Sequence, residues 1–275
     1  DDDGGRWLDL RWRVPRDFRD TVAVAAALFG VPAWRWAAGD RAPEVLWLLG
    51  PEPHAAFVNG RAEAPAGTMR VYPRGGLCVL RDGWTSDAGY ALIDYGPHGS
   101  LSCGHAHADA LSIAFSAFGV SWLVDPGTYT YTGDARVRDA FRTTTAHNTA
   151  TVDGLPQSEP AGPFSWSRIA RSSLAAAVAL PGLGYVEGAH DGYERLADPV
   201  RHTRSMLFVE GDAALRTPPY LVLRDAFDAA GRHEYAVRYH LPAASVAVVR
   251  DDRVVAVEPF GGSLTVAALG RGSRP

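Results

Sequence analysis

Apolar and polar positions alternate with a period of two through most of the chain beyond residue 67, and recur at helical spacing only before residue 50. In the centre, Leu111, Ile113 and Phe115 alternate with Ser112, Ala114 and Ser116, the pattern of a strand with one buried face. A second strand, 120–124, runs into Asp125-Pro126-Gly127. Pro126 and Gly127 suit the central positions of a type II turn, so Asp125 is expected as a carboxylate held at a strand end. Further strands are predicted at 68–72, 76–81, 90–95, 168–179, 184–187, 202–209, 220–225, 233–240, 245–250 and 253–257. Many short strands with turn signals and no helices between them predict a mainly β fold, an antiparallel β-sandwich.

The start of the chain reads differently. A helix is predicted over 15–29, with Pro15 and Asp17 in its first turn, Gly30 at its end, and Phe18, Val22, Ala25, Ala26 and Phe29 as an apolar stripe. A shorter one is predicted from Pro43 to Leu49, stopped by Gly50. Two helices with apolar faces and no helical partners suggest the last members of a larger helical array. Residues 51–66 are rich in Pro, Ala, Gly and Glu and read as a linker. The expected organisation is therefore a helical segment over 1–50, a linker over 51–66 and a sandwich over 67–275.

Composition narrows the function only a little. The 275 residues, 47% hydrophobic, can bury one large core or two modest ones, and a net charge of -4 gives no basic footprint for a nucleic-acid duplex. Every basic residue is Arg, which fits either a compositional bias of the coding DNA or recognition of carboxylates and sulfates by the guanidinium fork. Cys78 and Cys103 make no disulfide framework, although one bridge between adjacent strands remains open. No run reaches the roughly 18 to 20 apolar residues needed to span a bilayer. The chain begins Asp1-Asp-Asp-Gly-Gly without Met and reads as a piece of a longer precursor.

Chemistry concentrates between Ser102 and Thr149. Read as an extended strand, Ser102 to Asp109 sends His105, His107 and Asp109 to one face, and Thr145-Ala-His147-Asn-Thr149 supplies a third imidazole. Neutral imidazoles and a carboxylate are suitable ligands for Zn²⁺. Two metal sites are open: His107, Asp125 and His147 with His105 left over, or His107, Asp109 and His147 as the His-x-Asp…His triad of an Fe(II) oxygenase. The third reading is a set of hydrogen-bonded polar residues lining a sheet.

The wider string separates these readings. Gly104-His-Ala-His-Ala-Asp-Ala-Leu-Ser112, Asp125-Pro-Gly-Thr-Tyr129, Arg142-Thr-Thr-Thr-Ala-His-Asn-Thr149 and Val152-Asp-Gly154, in this order, resemble the heparinase II/III-like polysaccharide lyases, a family that includes heparin, heparan sulfate and alginate lyases. The resemblance implies an N-terminal α/α toroid followed by an antiparallel supersandwich, with this chain as the last toroid helices plus the sandwich. It implies one structural Zn²⁺ on His107, Asp125 and His147, a catalytic role for His105, and substrate contacts from Tyr129, Tyr131 and Arg142. It further implies β-elimination on a uronate-containing acidic polysaccharide, in the periplasm or outside a bacterial cell. The partner Tyr and the carboxylate-neutralising Asn or His would lie on the toroid, so this chain alone is expected to be inactive. The alternatives are a zinc-stabilised carbohydrate-binding sandwich without activity and the Fe(II) oxygenase.

Overall fold

The computed structural model describes residues 17–40, 42–212, 214, 217–250, 253–257 and 262–268. The chain divides between Gly67 and Thr68 into two compact units. The first holds four helices: α1 (Arg19–Phe29), α2 (Pro32–Ala38), α3 (Pro43–Leu49) and α4 (Pro51–Asn59). The expected helix start at Pro15 lies outside the described residues. The stretch 51–59, expected as linker, is α4. Its prolines are compatible with that because Pro51 and Pro53 sit in the first turn, where N–H groups have no intrahelical acceptor. Ala23, Ala26, Ala38, Val45 and Phe57 are buried in this unit, while Phe29, Trp34 and Trp47 are exposed on it. The Arg35 guanidinium lies over the Phe57 ring and donates to the carbonyls of Phe57 and Gly39, tying α2 to α4.

The second unit is built of strands. β1 (Met69–Tyr72), β2 (Leu77–Arg81), β3 (Tyr90–Asp94), β4 (Ile113–Ala117) and β5 (Val120–Leu123) form an antiparallel meander in chain order. Burial alternates strictly in β2, β3 and β4, as the sequence period requires. After α5 (Ala135–Arg142), β6 (Ala150–Val152), β7 (Glu159–Pro160) and β8 (Trp166–Arg168) come the long strands β9 (Ser172–Leu180), β10 (Leu183–Tyr193), β11 (Val200–Val209) and β12 (Tyr220–Asp228), an antiparallel four-stranded sheet in the order β12-β11-β10-β9. β13 (Tyr235–Val237) pairs with β6, β7 pairs with β8, and β14 (Val246–Arg250), β15 (Arg253–Val257) and β16 (Ser263–Ala267) close a three-stranded sheet.

The sandwich follows from where the apolar faces meet. Leu80, Ile93, Ile113, Phe115 and Trp122 of the first sheet and Val186, Met206 and Phe208 of the second share one core. Gly188 permits the close approach: a Cβ there would lie 2.7 Å from Leu111 Cδ2. β10 extends well beyond the predicted 184–187, because its second half is a polar buried segment that hydropathy alone does not reveal.

The clearest departure is at 102–109, which is a series of turns and not a strand. Leu101 and Cys103 adopt φ of 53° and 55°, and hydrogen bonds from Cys103 N to Ser100 O and from Ala106 N to Cys103 O close successive turns. Left-handed residues break the alternation on which the shared face of His105, His107 and Asp109 rested.

Candidate functional site

Three loops meet at the edge of the first sheet. Val124 leads out of β5 into Asp125, whose Oδ1 accepts from Gly127 N at 2.9 Å; Gly127 has φ +71°, as the second central residue of a type II turn needs. The 143–149 segment is pinned by Asn148, which donates to Ile113 O and Val124 O and accepts from His240 N, joining the ends of β4 and β5. Its neighbour His147 is thereby held against Asp125. The turns before β4 deliver His107 and Asp109, with Ala108 N donating to Arg142 O at 2.8 Å.

The ligating atoms of His107, Asp109 and His147 lie within 4.8 Å of one another. Asp125 is not in that trio; its Oδ2 accepts from His147 Nδ1 at 2.6 Å. The cluster therefore differs by one carboxylate from the set implied by the family resemblance. His147 Nε2 is buried with no hydrogen-bond partner. A buried ring nitrogen without a partner, close to a second imidazole and two carboxylates, belongs to a donor set that a divalent cation completes, so the residues fit one. His107 Nε2 faces Arg138 Nη1 at 3.2 Å and Thr128 Oγ1 at 3.3 Å.

The electrostatics are those of a site short of positive charge. Burial pushes Asp109 up to about 7 and Asp94, at the end of β3, up to about 6. Burial opposes charge on His147, but the hydrogen bond to Asp125 and the surrounding carboxylates outweigh it and raise its pKa. His107, by contrast, is pushed down to about 3 by burial and then by the His147 charge. One neutral imidazole and several carboxylates crowded around a second imidazole present a donor set that a cation would neutralise.

Beside this cluster lies a second pair, an exposed His105 and a half-buried Tyr131. His105 Nδ1 is 3.2 Å from Tyr131 Oη, and Tyr131 stacks on Phe164 at 5.8 Å between ring centroids. Tyr129 is 81% exposed and stacks on Phe141. Arg142 corrects the reading of it as an anion contact: its guanidinium is 0% exposed and donates to Asp139 and to the Gly162 and Pro163 carbonyls, so it clamps the 162–163 turn. The motif reading also missed Arg138 and Phe164. Arg138 and Arg142 lie one turn apart on α5, and two arginines at that spacing on a short helix could have marked a buried polar face.

A sandwich of two antiparallel sheets with a His and Asp cluster at its edge and a helical unit ahead of it defines a class of multidomain protein. The family model described as Heparinase II/III-like, C-terminal matches residues 64–272, and the chain belongs to that family. Solved structures agree with this at the level of the fold. Heparan sulfate lyase HepC from Pedobacter heparinus is 18% identical with a TM-score of 0.68, over 93% of this chain and 34% of its own. A structure of heparinase III is 17% identical with a TM-score of 0.67, over 95% and 36%. The heparinase III BT4657 gene product is 19% identical with a TM-score of 0.58, over 77% and 31%. The chain spans about a third of the length of these proteins. No curated protein matches it.

Proposed function

We propose that this chain is the sandwich of a polysaccharide lyase that cleaves a uronate-containing acidic polysaccharide by β-elimination, in the periplasm or outside the cell. The observation that carries the reading is the exposed His105, hydrogen-bonded to the half-buried Tyr131, next to the His107, Asp109 and His147 cluster. In a 4-linked uronate the C5 proton is removed, the bond from C4 to the leaving oxygen breaks, and a C4–C5 double bond forms. Imidazole and phenol groups can both transfer protons at neutral pH, and His105 and Tyr131 are assigned to that work. Charge that develops on the uronate carboxylate needs donors aimed at it, and those belong to the toroid. Tyr129, open to solvent, is assigned to substrate contact.

The metal is assigned as zinc, held by His107, Asp125 and His147 with Asp109 as the adjacent fourth group. With its protein ligands complete, such an ion contributes folding energy and holds the loops that present His105. The test is the full-length protein on 4-linked uronate polymers, reading unsaturated uronate ends. Wild type is expected to form them, and His105→Ala is expected to lower kcat by about 10²–10⁴-fold. Binding of the polymer without turnover by wild type would move the non-catalytic carbohydrate-binding reading ahead.

A further inference from the structure

Arg138 is fully buried, yet among the described residues none of its hydrogen-bond partners is a carboxylate. Its Nη2 donates to Gly104 O at 3.3 Å, its Nη1 faces His107 Nε2 at 3.2 Å, and its Nε donates to Pro163 O at 3.3 Å. The guanidinium carbon stands 5.0 Å from the centre of the Tyr131 ring. A buried cation is costly unless its donors are satisfied, and here they meet neutral groups from two separate loops, with the Tyr131 ring from a third against the guanidinium face. Each anchor bears on the same pair. Gly104 precedes His105, His107 follows it by two residues, Tyr131 is its hydrogen-bond partner, and Pro163 precedes the Phe164 ring on which Tyr131 stacks. α5 supplies the rigid base: Asp134 caps its first turn by accepting from Arg136 N and Val137 N, four residues before Arg138.

We infer that Arg138 is a positioning residue, which sets the geometry of the His105 and Tyr131 pair by bridging the loops on either side of it; the inference rests on the lyase reading for its effect on turnover. Only a planar fork reaches carbonyls on two loops while its face covers a phenol ring, so Lys at this position keeps the charge and loses the bridge. A pair misplaced by about an ångström can cost on the order of 100-fold in rate while binding persists.

The experiment uses the full-length protein with Arg138→Met, Arg138→Lys, Tyr131→Phe and, as a control on the exposed face of the same helix, Arg136→Met. Two quantities are read: kcat and KM on the polymer, and the rate at which diethyl pyrocarbonate modifies His105, followed by peptide mass spectrometry. For Arg138→Met the expected result is a fall in kcat of about 10- to 100-fold with KM unchanged, and faster modification of His105, matching Tyr131→Phe. Arg138→Lys should fall between, and Arg136→Met should change neither. If Arg138→Met does not fold, Arg138→Lys carries the same two readings. A folded Arg138 variant whose His105 reacts at the wild-type rate overturns the inference, as does one that raises KM alone. A wild-type protein without turnover refutes the lyase reading, and the His105 rate then still decides the role of Arg138.

Discussion

His147 is the residue on which the site turns. Its Nδ1 meets Asp125 at 2.6 Å and its Nε2 is buried without a partner, so both sides of the ring bear on metal binding. Asp109 and Asp125 can be told apart by what their loss does to bound metal. Elemental analysis of the purified protein is expected to give about one zinc per chain in wild type, none in Asp125→Ala and less than wild type in Asp109→Ala. Iron that survives Asp125→Ala but not Asp109→Ala would support the oxygenase triad instead. Asp109 was legible in the sequence as a member of His-x-Asp…His, and the turns that bring it to His147 were not. Left-handed φ at Leu101 and Cys103 is a property of non-glycine residues that no propensity would assign.

At the scale of elements, the long strands β10, β11 and β12 carry a buried polar relay under the site. Gly192 N donates to His190 Nδ1, which leaves His190 Nε2 to donate to His202 Nδ1 at 2.9 Å, and His202 Nε2 to donate to Asp225 Oδ1 at 2.7 Å. Arg204 meets the same carboxylate through Nε and Nη2, and its Nη1 donates to Leu111 O and Asn148 O. The four-stranded sheet thus holds the backbone next to His147. Asp225→Ala would leave the buried Arg204 charge uncompensated and is expected to cost about 3–5 kcal/mol in a denaturant titration. Burial alone would raise the Asp225 carboxyl, but Arg204 and the His202 hydrogen bond hold it well below the usual carboxylate range. A depressed carboxylate contributes stability that is complete above its unfolded value near pH 4 and is lost as pH falls toward the folded one. Acid unfolding monitored by circular dichroism should therefore steepen below about pH 4 in wild type and flatten in Asp225→Ala. His190 and His202 stood in the sequence as scattered residues, since cross-strand neighbours twelve positions apart leave no local signature.

For the whole molecule, the chain covers only about a third of the solved relatives, and no helix among its described residues is long and apolar enough to cross a membrane. The groups assigned here to the reaction are a proton-transferring pair without its carboxylate-neutralising partners. On the lyase reading proposed above, the purified 275-residue chain is therefore expected to form no unsaturated uronate products. Robust product formation by the chain alone would place the missing groups within these residues.

The sequence by itself determined the class of fold and the neighbourhood of the chemistry. Alternation in β2 to β4 is a local property, because burying one face of a strand fixes every second residue, and the Asp125-Pro126-Gly127 turn is as local, whereas the turns around His105 were read as strand. Helices were harder: α2 and α4 begin with proline, and α4 shares the composition of a linker. Only the tertiary structure decided that Asp109 lies with the two imidazoles, that Arg142 is sealed in a clamp, and that Arg138 bridges the loops around His105. Those outcomes depend on contacts between residues distant in the chain. A buried guanidinium is placed by the carbonyls and rings that several loops bring to it, and no single stretch of sequence contains them.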